Sequence, residues 1–89
     1  MIKVERKNGE EFEVTVSEQD SSTVHTVTLD SDYYQALTEE RVAKEDFIKK
    51  CFKFLLERES KESILSSFNV RIINKYFPEF EEQIKTRTY

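Results

Sequence analysis

One cysteine, one proline, one glycine and no tryptophan already remove several classes of protein. Cys51 has no second thiol to pair with, so neither an intrachain disulfide nor a cysteine metal cluster can form. That usage fits a reducing, cytoplasmic setting. With Gly9 alone, the chain cannot build a glycine-rich phosphate cradle of the Walker or dinucleotide type, and no zinc-ligand spacing is present. No cofactor is expected. His25 is the only base available for nucleophile-histidine chemistry. Apolar runs stop far short of the ~20 residues that cross a membrane. Residues 1–8 lack the apolar centre of a secretion signal.

What is present is enough for one domain. The 89 residues are 37% hydrophobic and 36% charged, with seven Phe and four Tyr to fill a core. Net charge is −4, which argues against broad nucleic-acid binding. The charge is unevenly spread. Residues 1–38 carry three Lys/Arg (Lys3, Arg6, Lys7) against eight Asp/Glu, whereas residues 39–89 carry eleven against ten.

Alternation marks the first part as β-structure. Residues 2–6 and 11–16 alternate apolar and polar side chains, the period of half-buried strands. Gly9 between them predicts a three-residue loop with glycine at positive φ, placing Val4 opposite Phe12 and Ile2 opposite Val14. A third strand, 23–29, is rich in β-branched residues and turns His25, Val27 and Leu29 inward. With a turn at Asp20-Ser21, Val27 faces Val14 and Leu29 faces Phe12. Val24, Thr26 and Thr28 then look outward.

Helical spacing takes over after residue 30. Ser31 reads as the cap of a short helix, 32–37, with Tyr33, Tyr34 and Leu37 as its bulky residues. The main helix runs over 43–58, with Phe47, Ile48, Cys51, Phe54 and Leu55 on one stripe and Phe52 and Leu56 widening it. A third helix, capped by Ser60, buries Ile64 and Leu65. A fourth, capped by Asn69, spans 70–76 with Ile72, Ile73 and Tyr76 apolar. Pro78 suits the first turn of a last helix through Ile84. The fold class is therefore α+β: a three-stranded antiparallel meander (1–30) against about four helices (31–84), in one domain with a frayed tail at 85–89.

Candidate chemistry is thin. Cys51 falls on the apolar stripe, where cysteine acts as a small hydrophobe. No carboxylate sits in an apolar setting that would tune it. Lys49, Lys50 and Lys53 form a basic face on the main helix, with Phe52 a candidate exposed ring among them. Arg58, between Glu57 and Glu59, is either a lock on the helix end or a partner contact. Arg71 is one of two basic groups on the helix over 70–76. These six residues (Lys49, Lys50, Phe52, Lys53, Arg58 and Arg71) form the candidate interaction surface.

The stretch 47–84 resembles the C-terminal part of a small family of uncharacterised prokaryotic proteins. The residues that carry the resemblance are Phe54-Leu55-Leu56-Glu57-Arg58-Glu59, Ser63-Ile64-Leu65, Phe68, Ile73 and Tyr76-Phe77-Pro78-Glu79-Phe80-Glu81, with strand 11–16 also fitting. No activity comes with it. The expectation is a non-enzymatic protein-interaction or regulatory module, binding another protein or a second copy of itself. A nucleic-acid-associated regulator using the C-terminal helices is the alternative. A small hydrolase or thiol enzyme is the least favoured.

Overall fold

A computed structural model describes residues 1–88, with side chains described through residue 85. The described residues form a four-stranded sheet and four α-helices. Strands β1 (Ile2–Arg6), β2 (Glu11–Glu18) and β3 (Ser21–Thr28) make the expected antiparallel meander. A short strand β4 (Ser67–Asn69) then joins parallel to β3, giving the order β1-β2-β3-β4. The helices are α1 (Ser31–Thr38), α2 (Lys44–Leu56), α3 (Ile73–Tyr76) and α4 (Phe80–Thr88). Single 3₁₀ turns lie at Lys61–Ser63 and Val70–Ile72.

The sheet has one apolar face, and the helices cover it. Phe12, Val14, Val16, Val27 and Leu29 are fully buried there, and His25 is nearly so. Phe47, Ile48, Cys51, Phe52, Phe54 and Leu55 of α2 meet them from above. Each fully buried Phe is worth roughly 1.5–3 kcal/mol. Phe54 stacks edge-on against Phe80 and Phe77 at 5.1 and 6.0 Å, which ties α2 to the start of α4.

The faces match the alternation, but both registers are offset by two residues. Val4 lies opposite Val14 and Ile2 opposite Val16, while Phe12 faces Val27 and Val14 faces His25. A two-residue slip leaves every side chain on its own face, so alternation alone could not detect it. The turns explain the offset. Gly9 does not have positive φ. Asn8 shapes the first turn instead: its amide donates to the Glu11 carboxylate at 3.0 Å and its side-chain oxygen accepts from the Glu11 amide at 3.3 Å. The second turn is Gln19-Asp20, with Gln19 at φ 54°, one residue earlier than expected.

The helical half departs further. Asp30 rather than Ser31 occupies the cap position of α1. Thr38, just past the expected end of this helix, is fully buried and donates to the Tyr34 carbonyl at 2.8 Å. Glu39 and Glu40, at φ 52° and 59°, break the chain out of α1. The third expected helix is only a 3₁₀ turn, and the chain after it is drawn into the sheet as β4. That leaves Leu65 half exposed rather than buried. Tyr76 is also exposed, not packed. Asn69 caps as expected, accepting from the Arg71 amide at 3.0 Å. Helix α4 continues to Thr88, so residues 85–88 of the expected tail are helical, and Tyr89 lies outside the described residues.

Candidate functional site

The six residues of the expected surface separate into two groups. Lys49 and Lys53 are exposed and Lys50 is half-buried, and no salt bridge engages any of them among the described residues. The other three are engaged inside the fold. Phe52 is 1% exposed, so it presents no ring among the lysines. It packs against His25 at 5.4 Å and Phe68 at 6.0 Å, because α2 turns that side toward β3 and β4.

Arg58 is a lock. Its guanidinium lies 3.6 Å over the Phe54 ring. It donates to the Glu79 carboxylate at 3.0 Å, to the Gln83 side-chain oxygen at 3.0 Å and to the Phe54 carbonyl at 3.1 Å. Glu57 approaches it at 3.3 Å. One side chain thus pins the end of α2 to α4 through its planar fork. A backbone hydrogen bond, and then the Arg58 guanidinium, hold the Glu79 carboxyl below its ordinary range.

Arg71 is similarly engaged. Its guanidinium meets Asp30 at 2.9 Å and Asp32 at 3.2 Å, and lies 5.0 Å from the Tyr33 ring. Asn69 also donates to Asp30, at 3.1 Å. These contacts fasten the 3₁₀ turn after β4 to the start of α1. The fork that would read phosphate faces carboxylates. Lys61, not singled out from sequence, plays the same part for β2, reaching Glu62 at 2.9 Å and Glu18 at 3.7 Å.

His25 and Cys51 are structural in geometry. The Leu65 carbonyl can only accept, so the His25 Nδ1–H donates to it at 2.8 Å. Nε2 then accepts from the Thr23 hydroxyl at 2.8 Å. Both ring nitrogens are engaged. Cys51 is fully buried, and burial pushes its thiol well above the ordinary value, away from the thiolate that nucleophilic chemistry needs.

The feature that sequence reasoning missed lies beside the end of α2. A cavity of about 210 Å³ opens between that end, β4 and α3. Leu55, Ile64, Phe68, Ile73 and Phe77 form its apolar walls. Leu65, 48% exposed, and Tyr76, 62% exposed, stand at the cleft as uncovered apolar surface. Glu59 lines it as well. Its carboxylate has no partner among the described residues, and desolvation raises its pKa above the ordinary value. That corrects the expectation that no carboxylate sits in a tuning environment. The signal was present in outline: residues 60–77 hold more bulky apolar side chains than such short elements can bury, and packing did not demand three charges at 57–59.

No family model, curated protein or solved structure matches the chain. No helix among the described residues is long and apolar enough to cross a membrane.

Proposed function

We propose that the chain is a non-catalytic protein-binding module whose docking site is the cleft between the end of α2, β4 and α3. The occupant is a segment of a partner protein that presents one large apolar side chain with a lysine or arginine beside it. The observation that carries this reading is Glu59, half-buried and with no partner for its carboxylate among the described residues, at an apolar cleft flanked by exposed Leu65 and Tyr76. A cation placed there would regain for Glu59 the interactions that desolvation removed. The aromatic and aliphatic side chains nearby are the kind that anchor interfaces. A cavity of about 210 Å³ suits one side chain. It falls below the ~300–1,000 Å³ of small-molecule sites. A free, buried Cys51 is compatible with a cytoplasmic setting.

Selection from a random heptapeptide library tests the proposal. Enriched sequences are expected to pair Leu, Phe or Trp with an adjacent Lys or Arg. Binding should fall at least tenfold in Glu59→Lys and in Leu65→Asp. A library that enriches nothing, or peptides that bind both variants as well as the parent, would overturn the assignment. Two features support this reading over nucleic-acid binding. Arg71 already faces Asp30 and Asp32, and the charge surrounding α4 includes Glu79, Glu81 and Glu82.

A further inference from the structure

At the β1 edge the sheet is unpaired among the described residues. Met1 and Ser17 exchange both of their hydrogen bonds: the Ser17 amide donates to the Met1 carbonyl at 2.8 Å, and the Met1 amine donates to the Ser17 carbonyl at 2.6 Å. The Lys7 amide donates to the Glu11 carbonyl at 2.9 Å. Antiparallel pairing alternates, so residues 1, 3, 5 and 7 point their backbone groups at β2. Ile2, Val4 and Arg6 therefore direct their N–H and C=O groups away from the sheet. Among the described residues no hydrogen bond engages them on that side. Such an edge is a template for another strand. The side chains of Ile2 and Val4 are only partly buried there, although they belong to the core face.

The charge around this edge selects the strand. Lys3, Arg6 and Lys7, the whole cationic complement of residues 1–38, lie on β1 and in the turn after it, although Lys3 approaches Glu5 at 3.9 Å and Arg6 lies 5.4 Å from the Phe12 ring. Lys49 and Lys53 of α2 share a shallow depression with Ile2, Val16, Leu56 and Glu18. Glu18 is drawn toward Lys61, which leaves the two lysines without a salt-bridge partner among the described residues. A second copy is a poor occupant. Antiparallel pairing of β1 with itself would set both α2 helices on one face of the joined sheet. Their Lys49 and Lys53 rows would then approach across the two-fold axis and repel.

We infer that β1 binds an extended acidic segment of a partner protein by strand addition. Ile2, Val4 and Arg6 supply the backbone pairing, and Lys49 and Lys53 receive the carboxylates. This gives the unpaired lysines of α2 a role that the cleft does not.

The test is a titration of ¹⁵N-labelled protein with an acetylated, amidated Glu-Val-Glu-Val-Glu-Val peptide, followed by NMR. The amides of Ile2, Val4 and Arg6 should move downfield and gain exchange protection, while those of Lys3 and Glu5 change less. Affinity should fall at least tenfold in Lys49→Glu/Lys53→Glu, in a peptide with Lys in place of Glu, and on raising salt from 50 to 500 mM. Both substituted lysines are exposed, and an unchanged spectrum elsewhere verifies the fold of the variant. Three results would overturn the inference. One is no movement at Ile2, Val4 and Arg6 with millimolar peptide. Another is equal binding of acidic and basic peptides. The third is protection of those amides without peptide, together with a doubled mass in sedimentation, which would assign the edge to a second copy.

Discussion

The sheet and the helical half are held together by different means. In the meander, backbone pairing and one apolar face carry the structure, and the charged side chains mostly stay in solvent. In the helical half the elements are short, and several single residues lock their ends by polar contacts that reach across the sequence. Arg58 joins α2 to α4, Arg71 joins the turn after β4 to α1, Tyr33 joins α1 to Glu81 of α4 at 2.9 Å, and His25 joins β3 to the chain before β4. A helix of four residues such as α3 cannot persist by its own hydrogen bonds. The lesson is that charge means different things in the two halves. In the meander it mostly faces solvent. In the helical half an arginine is more often a fastener.

The largest effect should come from breaking a fastener. Arg58→Ala is expected to cost about 1–3 kcal/mol, because it strips charge-assisted hydrogen bonds from a guanidinium that packs on Phe54. Lys53→Ala, one turn earlier on the exposed side, should stay within about 0.5 kcal/mol. Urea denaturation of the two variants measures the contrast directly, and equal losses would dissolve the distinction. His25→Leu should cost about 1–3 kcal/mol, since it leaves the Leu65 carbonyl without its donor. Nitrogen NMR on the parent protein should show the Nδ1–H tautomer.

Acid should weaken the helical half through Glu79. Its pKa is lowered in the folded state, so the stability it contributes is present above the ordinary carboxylate value of 4.5 and is lost as pH falls through the folded value. Glu59 has the opposite sign. Its pKa is raised, so its contribution is present below 4.5 and is lost as pH rises through the raised value. Glu59→Gln should therefore raise stability at neutral pH, whereas Glu79→Gln should lower it and flatten the acid limb. Melting temperatures measured between pH 3 and pH 7 separate the two.

A smaller effect is expected at the first turn of the sheet. Gly9 has no positive φ and nothing lies within 4 Å of an added Cβ. Gly9→Ala should stabilise by about 0.4–1 kcal/mol, by restricting the unfolded chain. A loss of stability would mean that the turn needs glycine after all.

The same comparison explains what could be read in advance. Alternation places Phe12, Val14, Val16, His25, Val27 and Leu29 on the buried face, and helical spacing places Phe47, Ile48, Cys51, Phe54 and Leu55 in the core. The apolar pattern specifies faces, not pairings, so it leaves both strand registers two residues from the observed ones. Strand β4 left no signal because three residues, Ser67–Asn69, are too few to alternate and pair with a strand some forty positions earlier. With β4 drawn into the sheet, Leu65 and Tyr76 stay exposed, and the cleft lies beside them. The cleft is thus a tertiary feature. Only the surplus of apolar residues at 60–77 and the unexplained Glu59 hinted at it.

The central claim is that the cleft beside Glu59, rather than the lysine face of α2, recognises the apolar, cationic segment of a partner. A titration of ¹⁵N-labelled protein with a library-selected peptide, followed by amide shifts, tests it most directly. The account predicts the largest shifts at Glu59, Ile64, Leu65, Ile73 and Tyr76, and little change at Lys49, Lys50 and Lys53. Shifts centred on those three lysines, with the residues around Glu59 unmoved, would contradict it.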